Sequence, residues 1–143
     1  MKRTILPVIL VSVLLFPMQG CDTDKKEYVK LAQATYDKIL KGDQSAAEAI
    51  SWNEIQVNGE EVGRGYMQLR EESEKRQFQK YKLSQWSQQY RAKAWTPERM
   101  LNWRVELQGV ESGIVAADAP GGKLVVNIQK KGGRKFVIRM EIK

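Results

Sequence analysis

The chain has 143 residues, 42% hydrophobic and 29% charged, a balance that fits one folded domain and argues against a disordered chain. It holds one Cys and no His, so zinc, haem and thiol–imidazole constellations lack their ligands or bases; no metal and no cofactor is expected, while carboxylate chemistry stays open. The net charge is +7; Lys2 and Arg3 are the only charged side chains before Cys21, leaving a net +5 from there on, which a solvated basic surface explains and which also suits anionic head groups.

Met1 to Thr4 forms a short positive start. Ile5 to Phe16 is then an uncharged apolar run of 12 residues. A membrane-spanning helix needs about 20 apolar residues, so the run is too short for a span and has the length and flanks of an export signal. No Ala-x-Ala-like cleavage site follows it. The run ends in Met18, Gln19, Gly20 and Cys21 instead, with the only thiol of the chain at its edge. Beside Asp22 and Asp24 that thiol is a poor nucleophile, because neighbouring carboxylates raise its pKa and no base stands near in sequence.

These four residues resemble the lipobox of bacterial lipoproteins, in which a small residue precedes the cut and the following Cys carries the lipid. Gly20 and Cys21 occupy those two positions, and Met18 stands where Leu is commonest. The resemblance implies cleavage between Gly20 and Cys21, acylation of Cys21, and residence in the cell envelope, facing away from the cytoplasm. Two or three acyl chains anchor a protein far more firmly than one. Where enteric-type sorting applies, Asp22 after the lipidated Cys implies retention in the inner membrane. Three segments follow: a signal peptide over 1–20, a lipidated polar tether over 21–26, and one domain over 27–143.

From Glu27 the spacing predicts a helix, with Tyr28, Leu31, Ala32, Thr35, Tyr36, Ile39 and Leu40 on one stripe and Gly42 as its stop. Asp43 or Ser45 can cap a second helix, and Ser45 to Glu48 has capping-box spacing. Asn58-Gly59 breaks that run. Glu60 to about Lys93 reads as mostly helical, with Tyr66 and Leu69 on one packed face and Phe78, Tyr81, Trp86 and Tyr90 on another, as core rather than as a ligand cage. Thr96-Pro97-Glu98 opens a short turn of helix. After Met100 the period changes to two. Leu101, Trp103, Val105 and Leu107 form one buried set, Ile114 to Ala117 a short second run, Leu124, Val126 and Ile128 a third, and Phe136, Ile138, Met140 and Ile142 a fourth. The turns at 109–113, 120–122 and 131–133 are short, as in an antiparallel meander with one buried face.

The expected fold class is therefore α+β, with N-terminal helices packed on a C-terminal four-stranded antiparallel meander. This order resembles the cystatin-like roll of the nuclear-transport-factor-2-like superfamily, in which a curved sheet wraps a long helix around a hollow. Members often insert a strand among the helices, and here only Gln56-Val57 and its surroundings can supply one.

The SnoaL-like enzymes of that superfamily use Asp and His in the hollow, and this chain has no His. Asp118 reads as a turn residue beside Pro120, and Glu106 and Glu141 fall on the outer face, so no catalytic residue is assigned. Lys130, Lys131, Arg134 and Lys135, around a Gly-Gly turn, are the candidates for contact with an anionic surface, although solubility and edge protection are the favoured explanation of a single charged turn. The expectation is a non-enzymatic envelope lipoprotein. Its partners would be the membrane, through Cys21, and an envelope protein or small ligand, but not nucleic acid. The alternatives are a carboxylate-dependent enzyme on the roll and an exported inhibitor or immunity-type module presenting the loop at 109–113.

Overall fold

The structure, a computed structural model, describes residues 19–143, with side chains from residue 23 onward. Residues 1–18 of the expected export signal and the side chain of Cys21 lie outside what the structure describes. Helix α1 runs from Gln19 to Lys41. It begins eight residues before Glu27, so residues 21–26, expected as a polar tether ahead of the helix, are part of it. Its buried stripe is Tyr28, Ala32, Thr35, Tyr36, Ile39 and Leu40, the spacing that places side chains on one face. Gly42 ends it at φ 70°, with Gly42 N donating to Ile39 O and Asp43 N to Lys38 O, the paired bonds of a Schellman motif.

The second helix is only a 3₁₀ turn, Gln44–Ala49, capped by Asp43, whose carboxylate accepts from Ser45 N at 2.9 Å. The chain then docks on the sheet. Ser51 N donates to Val137 O, and strand β1, Gln56–Val57, lies parallel to the last strand. Asn58 (φ 50°) and Gly59 (φ 84°) turn the chain back, with Val57 and Glu60 exchanging both backbone bonds. What reads as one long helix after Glu60 is two, α2 (Val62–Met67) and α3 (Glu72–Ala92). A reciprocal capping box between Glu71 and Glu74 starts α3 afresh. Leu83, Trp86 and Tyr90 are buried on it, but Tyr81, expected with them, is 63% exposed. A 3₁₀ turn at Pro97–Arg99 leads into the meander.

Strands β2 (Leu101–Gln108), β3 (Ser112–Ala119), β4 (Gly122–Lys131) and β5 (Arg134–Ile142) pair antiparallel in succession. With β1 the sheet is five-stranded and mixed, in the order β1-β5-β4-β3-β2, rather than four-stranded and antiparallel. A two-residue strand carries too little alternation to be read from sequence. Helix α1 packs on the sheet, mainly on β2 and β3, and α3 packs on α1.

Two strands depart from strict alternation, and bulges are the reason. In β5, Ile128 pairs with Val137 but Asn127 pairs with Arg139, so Ile138 is an extra residue. Val137 and Met140 face the core, and Phe136 pairs with Gln129 off it. In β2, shifts between Leu101 and Arg104 and between Val105 and Leu107 place Leu101 opposite Asp118 and Leu107 opposite Ile114. Both leucines, expected in the core, are 57% and 64% exposed. One inserted residue exchanges the faces of the strand beyond it.

Candidate functional site

The space between sheet and helices is filled by rings. Tyr36 meets Tyr90 edge-on at 5.1 Å and Trp103 at 5.9 Å. Tyr90 stacks on Trp95, and Trp52 stacks on Trp86 at 5.8 Å with planes 8° apart. Trp52, Trp86 and Trp95 are buried and Trp103 half-buried. No three His, Cys, Asp or Glu side chains come together as a metal site among the described residues. No helix among them is long and apolar enough to cross a membrane.

Surface hollows follow the edge of the sheet. A groove of about 570 Å³ runs between α1 and β2, with Lys25, Lys26, Lys30 and Asp37 on its helical wall and Trp103 and Val105 on its strand side. A second, of about 700 Å³, shares Lys25 and Val105 with it and continues past Asp24 and Leu107 to Gly109 and Val110. Burial pushes the Asp37 carboxyl above the usual range, with Lys41 acting against it and Glu98 adding to the rise. In sequence Asp37 lies off the α1 stripe and carries no mark of a site; in the fold, next to buried Tyr36, it is partly covered. Among the described residues no second carboxylate lines that groove, so they assemble no acid–base pair there.

The carboxylates considered for catalysis lie on the opposite face of the sheet. Asp118 sits within β3, not in a turn, and accepts from Asn102 and Arg104, each at 3.0 Å; these bonds hold its carboxyl below the usual range. Glu106 lies between Arg104 at 3.2 Å and Lys123 at 3.1 Å, and Glu141 is within 3.7 Å of Arg139 and 3.4 Å of Lys143. Each is neutralised by a basic neighbour, which is the arrangement of a charge ladder on a solvated sheet face.

The four basic candidates of the β4–β5 turn divide. Lys135 pairs with Glu27 at 2.5 Å and Asp24 at 3.8 Å and lies over the Tyr28 ring. Lys131 pairs with Glu54 and reaches Ser51 Oγ at 3.3 Å. Lys130 and Arg134 are in no ion pair among the described residues, Arg134 lying over Phe136 at 5.2 Å. Lys135, by hydrogen bond and charge, with Lys130 and Lys30 nearby, holds the Glu27 carboxyl below its usual range. The turn thus meets the first turns of α1. The β2–β3 turn joins them, since Lys130 N donates to Glu111 O at 2.7 Å, and a Cβ added at Gly113 would lie 3.0 Å from the Tyr28 ring.

No family model matches this chain, and neither a curated protein nor a solved structure matches it.

Proposed function

We propose that this chain is a lipid-anchored protein of the bacterial cell envelope, held by acylated Cys21 and acting by binding rather than by catalysis. One observation carries the binding reading. The interior where a roll-type enzyme would keep its hollow is occupied by Tyr36, Trp52, Trp86, Tyr90 and Trp95, and the open space lies outside, in surface hollows that include the groove between α1 and β2. A filled interior leaves no enclosed hollow there to exclude water, and the one groove acid raised by burial, Asp37, has no second carboxylate beside it among the described residues. The groove offers lysines beside a half-buried indole, a surface for an acidic or amphipathic envelope protein or small ligand. The inserted strand β1 supports the cystatin-like roll. With Asp22 after the lipidated Cys, the inner membrane is the proposed site where enteric-type sorting operates.

Mass spectrometry of the mature N-terminus tests the anchor. Cleavage after Gly20 with acyl chains on Cys21 is expected, and a Cys21→Ser chain should remain uncut. An unmodified protein in the cytosol with residues 1–20 intact would end this reading. Capture of envelope components by the native chain in detergent, but not by a Gln33→Glu/Ala34→Glu variant of the exposed groove wall, tests the groove.

A further inference from the structure

The anchor reading gains a geometric consequence from α1. The helix runs unbroken from Gln19 to Lys41, and Tyr28, two turns past Cys21, is already 2% exposed in the core. Seven helical residues span about 10 Å. A lipid on Cys21 would therefore hold the domain on a short stiff stem, not on a slack chain, and only one end of the domain can face the bilayer.

That end gathers three chain segments. Lys135, at the base of the β4–β5 turn, is bound to Asp24 and Glu27. The β2–β3 turn is joined to the β4–β5 turn through Lys130 N and Glu111 O. Asp24 and Lys25 line the same hollow as Gly109 and Val110. Val110, at the β2–β3 tip, is 92% exposed, and Leu107 behind it 64%. Around them Lys25, Lys26, Lys30, Lys130 and Arg134 are in no ion pair among the described residues, whereas Asp24, Glu27 and Glu54 are each held by a lysine. Of the described acids near this end, Glu106 lines the same hollow but is held by Arg104 and Lys123, Asp37 lies farther along the groove that Lys25, Lys26 and Lys30 line, and Glu111 is in no ion pair among the described residues.

We propose, resting on the anchored reading, that this end docks on the anionic head groups of the leaflet that carries the anchor. Val110 enters the interface, and Lys25, Lys26, Lys30, Lys130 and Arg134 form a basic collar around it. Apolar insertion and basic attraction act together in such contacts, and neither requires a pocket. The occupant is a lipid surface rather than a protein because the exposed apolar tip and the collar surround the stem that leads to the attachment point.

The test uses the mature acylated chain in vesicles of phosphatidylcholine alone or with about one-third phosphatidylglycerol. Amide hydrogen exchange is followed over residues 107–112 and 130–135. Docking predicts exchange at least about fivefold slower on anionic vesicles than on neutral ones, and loss of that difference in Val110→Asp and in Lys25→Glu/Lys26→Glu/Lys30→Glu. All these side chains lie outside the core, so the fold is retained. Equal exchange on both vesicles and in detergent would overturn the proposal. Protection that appears only on adding envelope proteins, equally on both vesicles, would also overturn it and assign the tip to a protein partner. Failure of acylation is read separately. Coupling the single thiol of the 21–143 chain to a maleimide lipid recreates the attachment, and the same exchange difference must then appear.

Discussion

The hydroxyl of Tyr36 donates to the carbonyl of Trp95 at 2.5 Å, a buried bond spanning 59 positions that ties α1 to the entry of the sheet. Burial lifts the Tyr36 hydroxyl well above the ordinary tyrosine pKa. Tyr90, packed edge-on against it, is equally buried, but its hydroxyl has no partner among the described residues. The two rings therefore respond oppositely to loss of oxygen. Tyr36→Phe orphans a carbonyl and should cost about 1–3 kcal/mol, whereas Tyr90→Phe should be neutral or stabilising. Urea titrations of the two variants check the difference in sign.

Gly63 marks where α2 meets the preceding loop. A Cβ there would lie 2.5 Å from the Asn53 carbonyl oxygen, a backbone atom with no side-chain freedom to retreat. A Cβ at Gly65, two residues on, would meet only the Phe78 ring, 3.6 Å away. Gly63→Ala should destabilise by about 1–3 kcal/mol through overpacking. Gly65→Ala should stabilise by about 0.5–1 kcal/mol, the usual gain of replacing glycine inside a helix. Thermal unfolding of both variants under one buffer condition separates them.

Val137 and Phe136 reverse the ranking that their sizes suggest. Val137 is fully buried, and Phe136 stands on the far face beneath Arg134. Val137→Ala should cost about 2 kcal/mol, and Phe136→Ala less than about 1 kcal/mol. Denaturation midpoints in the opposite order would place the bulge at Ile138 elsewhere.

Those positions also show how far the sequence speaks. The α1 stripe from Tyr28 to Leu40 is legible because a 3.6-residue period repeats over four turns, and its stop at Gly42 because few other residues take a positive φ there. Leu124, Val126 and Ile128 are legible because β4 is central and paired on both sides. Phe136, Leu101 and Leu107 are not, since a bulge is a property of two strands together and leaves no mark on either alone. The same holds for the groove. Lys26, Lys30 and Asp37 read as a solvated helix face until Trp103 and Val105 are brought opposite them. The break before Glu72 lacks proline, so propensity alone carries the helix across it.

Two carboxylates on α1 should shift stability with pH in opposite senses. Glu27 has a folded pKa below its ordinary value, chiefly from the Lys135 bond. Its contribution is complete above the ordinary carboxylate pKa and is lost as pH falls through the lowered one. Lys135→Met should therefore weaken the protein at neutral pH and converge with the parent in acid. Asp37 has a folded pKa raised by burial, so its charged form is disfavoured in the folded state. Asp37→Asn should stabilise at neutral pH, and that gain should vanish below the ordinary carboxylate pKa, where Asp37 is protonated both folded and unfolded. Unfolding free energies measured from pH 3 to pH 7 (roughly the carboxylate titration window) should show the two variants departing from the parent in opposite directions as pH rises. An Asp37→Asn curve parallel to the parent's throughout would mean that Asp37 is as well solvated as any surface carboxylate and that the groove wall beside it is open to water.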